Sequence, residues 1–142
     1  MGVNYTVILF SRQHFGDEQG SLFPGVQFVG KTKDYMFDCP DVDPNETAVL
    51  LYNSYDVTSP RDRFEINGKQ LYGGLYEAPG GHTWASHELL VEPEFNLKAT
   101  GNVLHVESRT RGGHTAGHID DFVLDNIVIM YKARRSPPVP QG

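Results

Sequence analysis

The sequence has one cysteine, Cys39, one tryptophan, Trp84, and no apolar run near the about 18 residues that a spanning helix needs. A lone cysteine excludes an internal disulfide framework. Its neighbours Asp38 and Pro40 argue against a reactive thiol, because a nearby carboxylate raises a thiol pKa. Positive charge is also scarce. Twelve Lys+Arg stand against 18 Asp+Glu, a formal net charge of −6. That balance lacks the basic footprint of non-specific nucleic-acid binding, so no nucleic-acid partner is expected.

Several catalytic signatures are missing. There is no G-x-S-x-G nucleophile elbow, no Walker loop and no dinucleotide fingerprint; Gly73-Gly74 has neither the spacing nor a following helix. No basic stretch followed by an apolar core and a cleavage site opens the chain. The compartment therefore stays open between cytoplasmic and that of a secreted protein without its leader. Residues Met1 to Thr6 match the short myristoylation pattern, yet they read as the start of a strand.

What is present points to β structure. The 142 residues suit one domain with its own core, and 15 Gly with 9 Pro punctuate the chain into short segments. Val3–Phe10 reads as a buried strand, followed by a polar loop from Ser11 to Ser21. Strands are predicted at Val26–Phe28, Tyr35–Phe37 and Thr47–Val57. Arg63–Ile66 and Lys69–Tyr72 flank Asn67-Gly68, a strong hairpin signal. Further strands are expected at His87–Val91, Asn102–Ser108 and Phe122–Tyr131. About eight strands without a convincing helix imply an all-β antiparallel sandwich or barrel. One domain is expected over 1–132, with a flexible Pro-rich tail over 133–142.

Three segments carry a family resemblance. They are Phe64-Glu65-Ile66-Asn67-Gly68; Trp84 leading to Val91-Glu92-Pro93 and then Leu97 to Leu104; and Asp120 to Ile127. Their order resembles the galactose-binding-like jelly rolls of carbohydrate-binding modules and glycosidase sugar-binding domains, over about residues 47–132. The resemblance implies a jelly-roll sandwich. Its motifs are largely turn-forming, so they speak to fold more than to function.

Two loops carry candidate chemistry. Tyr72, Tyr76, His82 and Trp84 surround Gly73-Gly74 and Gly80-Gly81, and the second loop offers Arg109, Arg111, His114, His118, Asp120 and Asp121. Sugars present C–H faces that stack on aromatic rings, and hydroxyls that need convergent donors and acceptors. If both loops lie at one end of the sandwich, Tyr72, Tyr76, His82, Trp84, Arg109, Arg111 and Asp121 form a glycan site. Asp120 and Asp121 are adjacent, so on a strand they would point to opposite faces.

Two metal patterns stand beside this. His114 and His118 have H-x-x-x-H spacing and could gather a transition metal with Asp120, although three nearby glycines oppose a helix there. Asp41, Asp43 and Asn45 have D-x-D-x-N spacing, which suits a hard cation such as calcium. Glu46 and Tyr52 stand where an EF-hand needs Gly and Glu, so an EF-hand is excluded; the resemblance implies at most a structural calcium. The leading expectation is a non-catalytic, lectin-like carbohydrate-binding module with a glycan or polysaccharide partner and no membrane span. The alternatives are an assembly or adhesion jelly roll forming homo-oligomers, and a small metal-dependent enzyme.

Overall fold

The computed structural model describes residues 2–18, 22–60, 62–77, 82–110 and 119–134. Ala48–Tyr55 shows how pattern becomes architecture. Along this strand, β5, buried residues alternate with half-buried ones, so Ala48, Leu50, Tyr52 and Ser54 face inward. Its neighbours continue the rule. The first sheet has six strands: β1 (Gly2–Leu9), β2 (Gln13–Phe15), β3 (Gln27–Gly30), β5, β8 (Trp84–Val91) and β10 (Phe122–Ala133). The second has four: β4 (Thr32–Phe37), β6 (Arg63–Ile66), β7 (Lys69–Gln70) and β9 (Asn102–Glu107). The inward faces of the two sheets share one apolar core that includes Tyr52, Phe64, Ile66, Leu104, Phe122 and Ile129. Burying a side chain of this size stabilises the fold by about 1.5–3 kcal/mol. The chain is therefore an all-β sandwich.

The pairing order identifies the winding. With β2 and β3 set aside, β1 pairs β10, β4 pairs β9, β5 pairs β8 and β6 pairs β7, all antiparallel. First meets last, second meets second-last, and so on to the Asn67-Gly68 hairpin. This is a long hairpin rolled into two sheets, the jelly-roll pattern. Of the two extra strands, β3 overlaps the strand expected at Val26–Phe28, whereas β2 falls within the stretch expected as a loop. Gln13-His14-Phe15 is too short to show periodicity; it is held because Phe15 stacks on Phe122 in the core at 5.3 Å. β2 also pairs in parallel with β3, a departure from antiparallel pairing. β8 begins at Trp84 rather than His87, and β10 runs through Ala133, one residue past the expected domain edge.

A knot of two asparagines ties the hairpin to the opposite end of its sheet. Asn67 sits in the left-handed region at φ 51°, which an asparagine tolerates in a tight hairpin. Its amide nitrogen donates to Phe95 O, Asn96 O and Asn102 Oδ1, and its amide oxygen accepts from Val103 N. Asn102, fully buried, donates to Phe37 O and Lys98 O and accepts from Lys98 N. Asn67 and Asn102 thus join β4, β6, β9 and the 3₁₀ turn Pro93–Phe95. The two turns that carried the family resemblance meet here, so their role in this chain is architectural. Cys39 is fully buried, and that burial, followed by the nearby Asp38, pushes its thiol up to about 12.

Replacing Asn102 by Ala takes their partner from two carbonyls and an N–H at a buried or part-buried position. We expect Asn102→Ala to lower unfolding free energy by about 3 kcal/mol in urea titration. A loss below about 0.5 kcal/mol would show that the knot is not a structural tie.

Candidate functional site

The outer face of the six-stranded sheet carries the candidate site. Strand register sets side chains there in rows across β8, β5 and β10. Trp84, Tyr55 and Val123 form one row, then Ser86, Asn53 and Asp125, then Glu88, Leu51 and Val128, then Leu90, Val49 and Met130. The face therefore grades from aromatic through polar to apolar. Between Asp125 and Val128 the ladder slips, with three steps on β10 against two on β5. The extra residue makes a bulge, and Asn126 within it has φ 50°. Bulges re-aim side chains, and this one turns Asn126 outward into solvent.

Two depressions share this floor. One of about 270 Å³ is lined by Arg12, Asn53, Trp84, Ala85, Ser86, Asp125 and Asn126. The adjoining one, about 380 Å³, is lined by Leu51, Tyr52, Asn53, Ser86, His87, Glu88 and Asn126. Asn53, Ser86 and Asn126 form their common wall. Trp84 is 42% exposed and packs against Tyr55 at 5.2 Å. The Arg12 guanidinium lies 4.7 Å from the Trp84 ring centre, and its Nε donates to Asp125 Oδ2 at 3.3 Å. Ser86 donates to Asn53 Oδ1 at 2.7 Å. Asp125 Oδ1 is buried with no hydrogen-bond partner among the described residues. The groove thus sets an indole and a guanidinium beside two amides, a hydroxyl and a carboxylate.

His87 closes one side of the larger depression. Tyr76 stacks on it at 4.3 Å, and Tyr52 packs at 5.3 Å. Its Nε2 is buried without a partner among the described residues, and burial lowers its pKa from the ordinary 6.5.

The residues expected to form one loop-end site fall in several places. Trp84 lies in the groove and Tyr76 beside it against His87. His82 is near: its backbone N–H donates to Asp56 Oδ1 at 3.0 Å and its ring lies 6.5 Å from Tyr55. Tyr72 is elsewhere, past the other end of β8, where its hydroxyl donates to Glu94 at 2.5 Å and its ring meets Phe95. Arg109 pairs with Glu107 at 2.6 Å and lines a different depression with Lys31, Thr110 and Ile119. Arg111, His114 and His118 lie outside the described residues.

Asp120 and Asp121 diverge, as adjacent residues should. Asp120 is buried and accepts from Thr58 N, Thr58 Oγ1 and Ser59 N, pinning the loop after β5. Asp121 is buried 2.8 Å from His14 Nε2, and His14 is packed edge-on between Phe23 and Phe28. Burial raises the Asp121 pKa against the lowering effect of His14. A side chain at Gly16 would collide with the Asp121 carboxylate. Both aspartates therefore serve the scaffold. Asp41, Asp43 and Asn45 form a turn in which Asp43 Oδ1 accepts from Asn45 N at 3.0 Å, while Asp43 N and Asp41 O bond to Lys132 and Arg134. Among the described residues, no three His, Cys, Asp or Glu side chains gather where they could hold a metal ion. No described helix is long and apolar enough to cross a membrane.

Sequence reasoning passed over Arg12, Asn53, Ser86, Asp125 and Asn126. One signal was present: Asp125-Asn126 interrupts the apolar run between Leu124 and Ile127. Two polar residues inside a central strand are a mark of a bulge.

The depressed pKa of His87 makes stability pH-dependent. The fold disfavours its protonation, so its contribution is intact above 6.5 and is lost as pH falls through the lower folded value. We expect thermal melts of the wild type to lose stability below pH 6.5 more steeply than His87→Gln. Parallel profiles would remove His87 as a cause.

Comparison with known proteins finds no matching family model, no similar curated protein and no similar solved structure.

Proposed function

We propose that this chain is a non-catalytic carbohydrate-binding jelly roll that takes its glycan across the outer face of the six-stranded sheet. The carrying observation is the setting of Trp84 beside Arg12, Asn53, Ser86, Asp125 and Asn126 along two adjoining depressions. A sugar needs an apolar plane for its C–H face and paired donors and acceptors for its hydroxyls. Trp84 with the Arg12 guanidinium supplies the plane. Asn53 and Asn126 supply amides that both donate and accept, and the Asp125 carboxylate holds Arg12 beside them. The galactose-binding-like resemblance of residues 47–132 belongs to this proposal. It is consistent with the jelly-roll pairing, but its motifs act in the asparagine knot and not in the groove. The ligand surface proposed here is a sheet face, where the sequence pattern had suggested loops at one end.

The test is a glycan-array screen followed by calorimetry on the best ligand. Trp84→Ala and Asn126→Gly should each weaken binding by at least about tenfold. Glycine at 126 keeps the positive φ and removes only the amide. Tyr72→Ala, at the far end of β8, should bind like the wild type. An array blank with folded protein, or binding that survives both groove variants, would sink this reading.

A further inference from the structure

Sheet edges expose unpaired N–H and C=O groups, and proteins shield them with short strands, charges or covering segments. Most edges of this sandwich are shielded in that way. Along β8, Tyr76 stacks on His87, and a Cβ at Gly73 would lie 3.2 Å from Leu89. β4 carries Lys33 and Asp34, β7 has two residues, and β3 has four. Among the described residues, β1 has none of these devices. It is eight residues long, carries no charge and no proline, and pairs only with β10 among the described residues. Val3, Tyr5 and Val7 are 61%, 64% and 46% exposed, on the face that also presents Met130.

The backbone of β1 shows which groups are not bonded to β10. Tyr5 N–H donates to the side chain of its neighbour, Asn4 Oδ1, at 2.9 Å, and not to β10. Alternate residues of an antiparallel strand bond to the same side. Val3, Tyr5 and Val7 therefore direct their N–H and C=O groups away from β10, and Asn4 stands where a partner carbonyl would lie.

We infer that β1 is a pairing edge for a second copy of this chain, with the two β1 strands antiparallel about a two-fold axis at Tyr5. Only this centring uses the outward groups of residues 3, 5 and 7 together. It sets Tyr5 against Tyr5 and each Val3 against Val7 of the other copy, which are matched apolar cross-strand pairs. The strand brings no charge to the contact in a chain whose net charge of −6 opposes self-association elsewhere. The chain's own C-terminal residues are a poor alternative occupant. Pro137, Pro138 and Pro140 lack the N–H groups that an edge strand must donate.

The experiment is light scattering after size exclusion, at about 100 µM protein, a concentration that populates micromolar dimers. The wild type should run at twice the 15.9 kDa chain mass. Tyr5→Lys and Tyr5→Glu each place like charges face to face across the axis, and each alone should be monomeric with an unchanged circular dichroism spectrum. Mixed in equal amounts, they should re-form a dimer, because Lys then faces Glu. Val7→Lys should weaken the dimer without that rescue. A monomeric wild type would overturn the inference. So would a dimer indifferent to both Tyr5 variants, or a mixture that stays monomeric. Tyr5 does not line the proposed glycan groove, so this result and the array result stand or fall separately.

Discussion

The structure depends on β10 satisfying both of its backbone edges at once. On one side it bonds β5. On the other it bonds β2 over Phe122–Leu124 and β1 from Ile127 onward. A strand buried between neighbours cannot leave N–H or C=O groups unpaired without losing free energy. The chain's beginning must therefore lie alongside its end, which forces the rolled-hairpin path. The Asn126 bulge is tolerated within this constraint because it exposes the extra residue to solvent. The same distortion that relieves the ladder places an amide in the outer groove.

Polar residues inside the sandwich divide by what they accept. Asp120 gathers donors from the loop after β5, Asp121 holds His14, and the two asparagines of the knot bond mostly to backbone atoms, four of them in the turn between β8 and β9. Each is hydrogen-bonded, and all but the half-buried Asn67 are buried, so each specifies position as well as adding stability. These groups explain how loops between strands are located without helices to brace them. They also explain why carboxylates and amides that look chemical in the sequence act here as fasteners.

The outer face of the larger sheet has two characters along one surface. At the Trp84 end, aromatic and polar groups line shallow depressions; at the Val3 end, β1 and Met130 present apolar side chains at an open edge. One register produces both, because residues two apart on β5 and β8 share a face, and on β10 they do so on either side of the Asn126 bulge. Our two proposals therefore occupy one face without sharing a side chain.

Much of the fold was legible in the residues. Alternation in Ala48–Tyr55, the Asn67-Gly68 hairpin and the closing strand from Phe122 follow from period-two burial and turn chemistry, which are local properties. Gln13–Phe15 was not legible, because three residues carry no period and their strand exists only through Phe15 packing on Phe122. The candidate site was legible only at Trp84 and its neighbours Tyr76 and His82. Tyr72 and Arg109 looked equivalent to them in sequence, yet Glu94 and Glu107 hold them elsewhere. Local sequence determined which segments became strands and which residues turned the chain. Tertiary structure alone decided which polar residues met. Asn53, Ser86, Asp125 and Arg12 come from four separate segments, and only inter-strand register sets their neighbours.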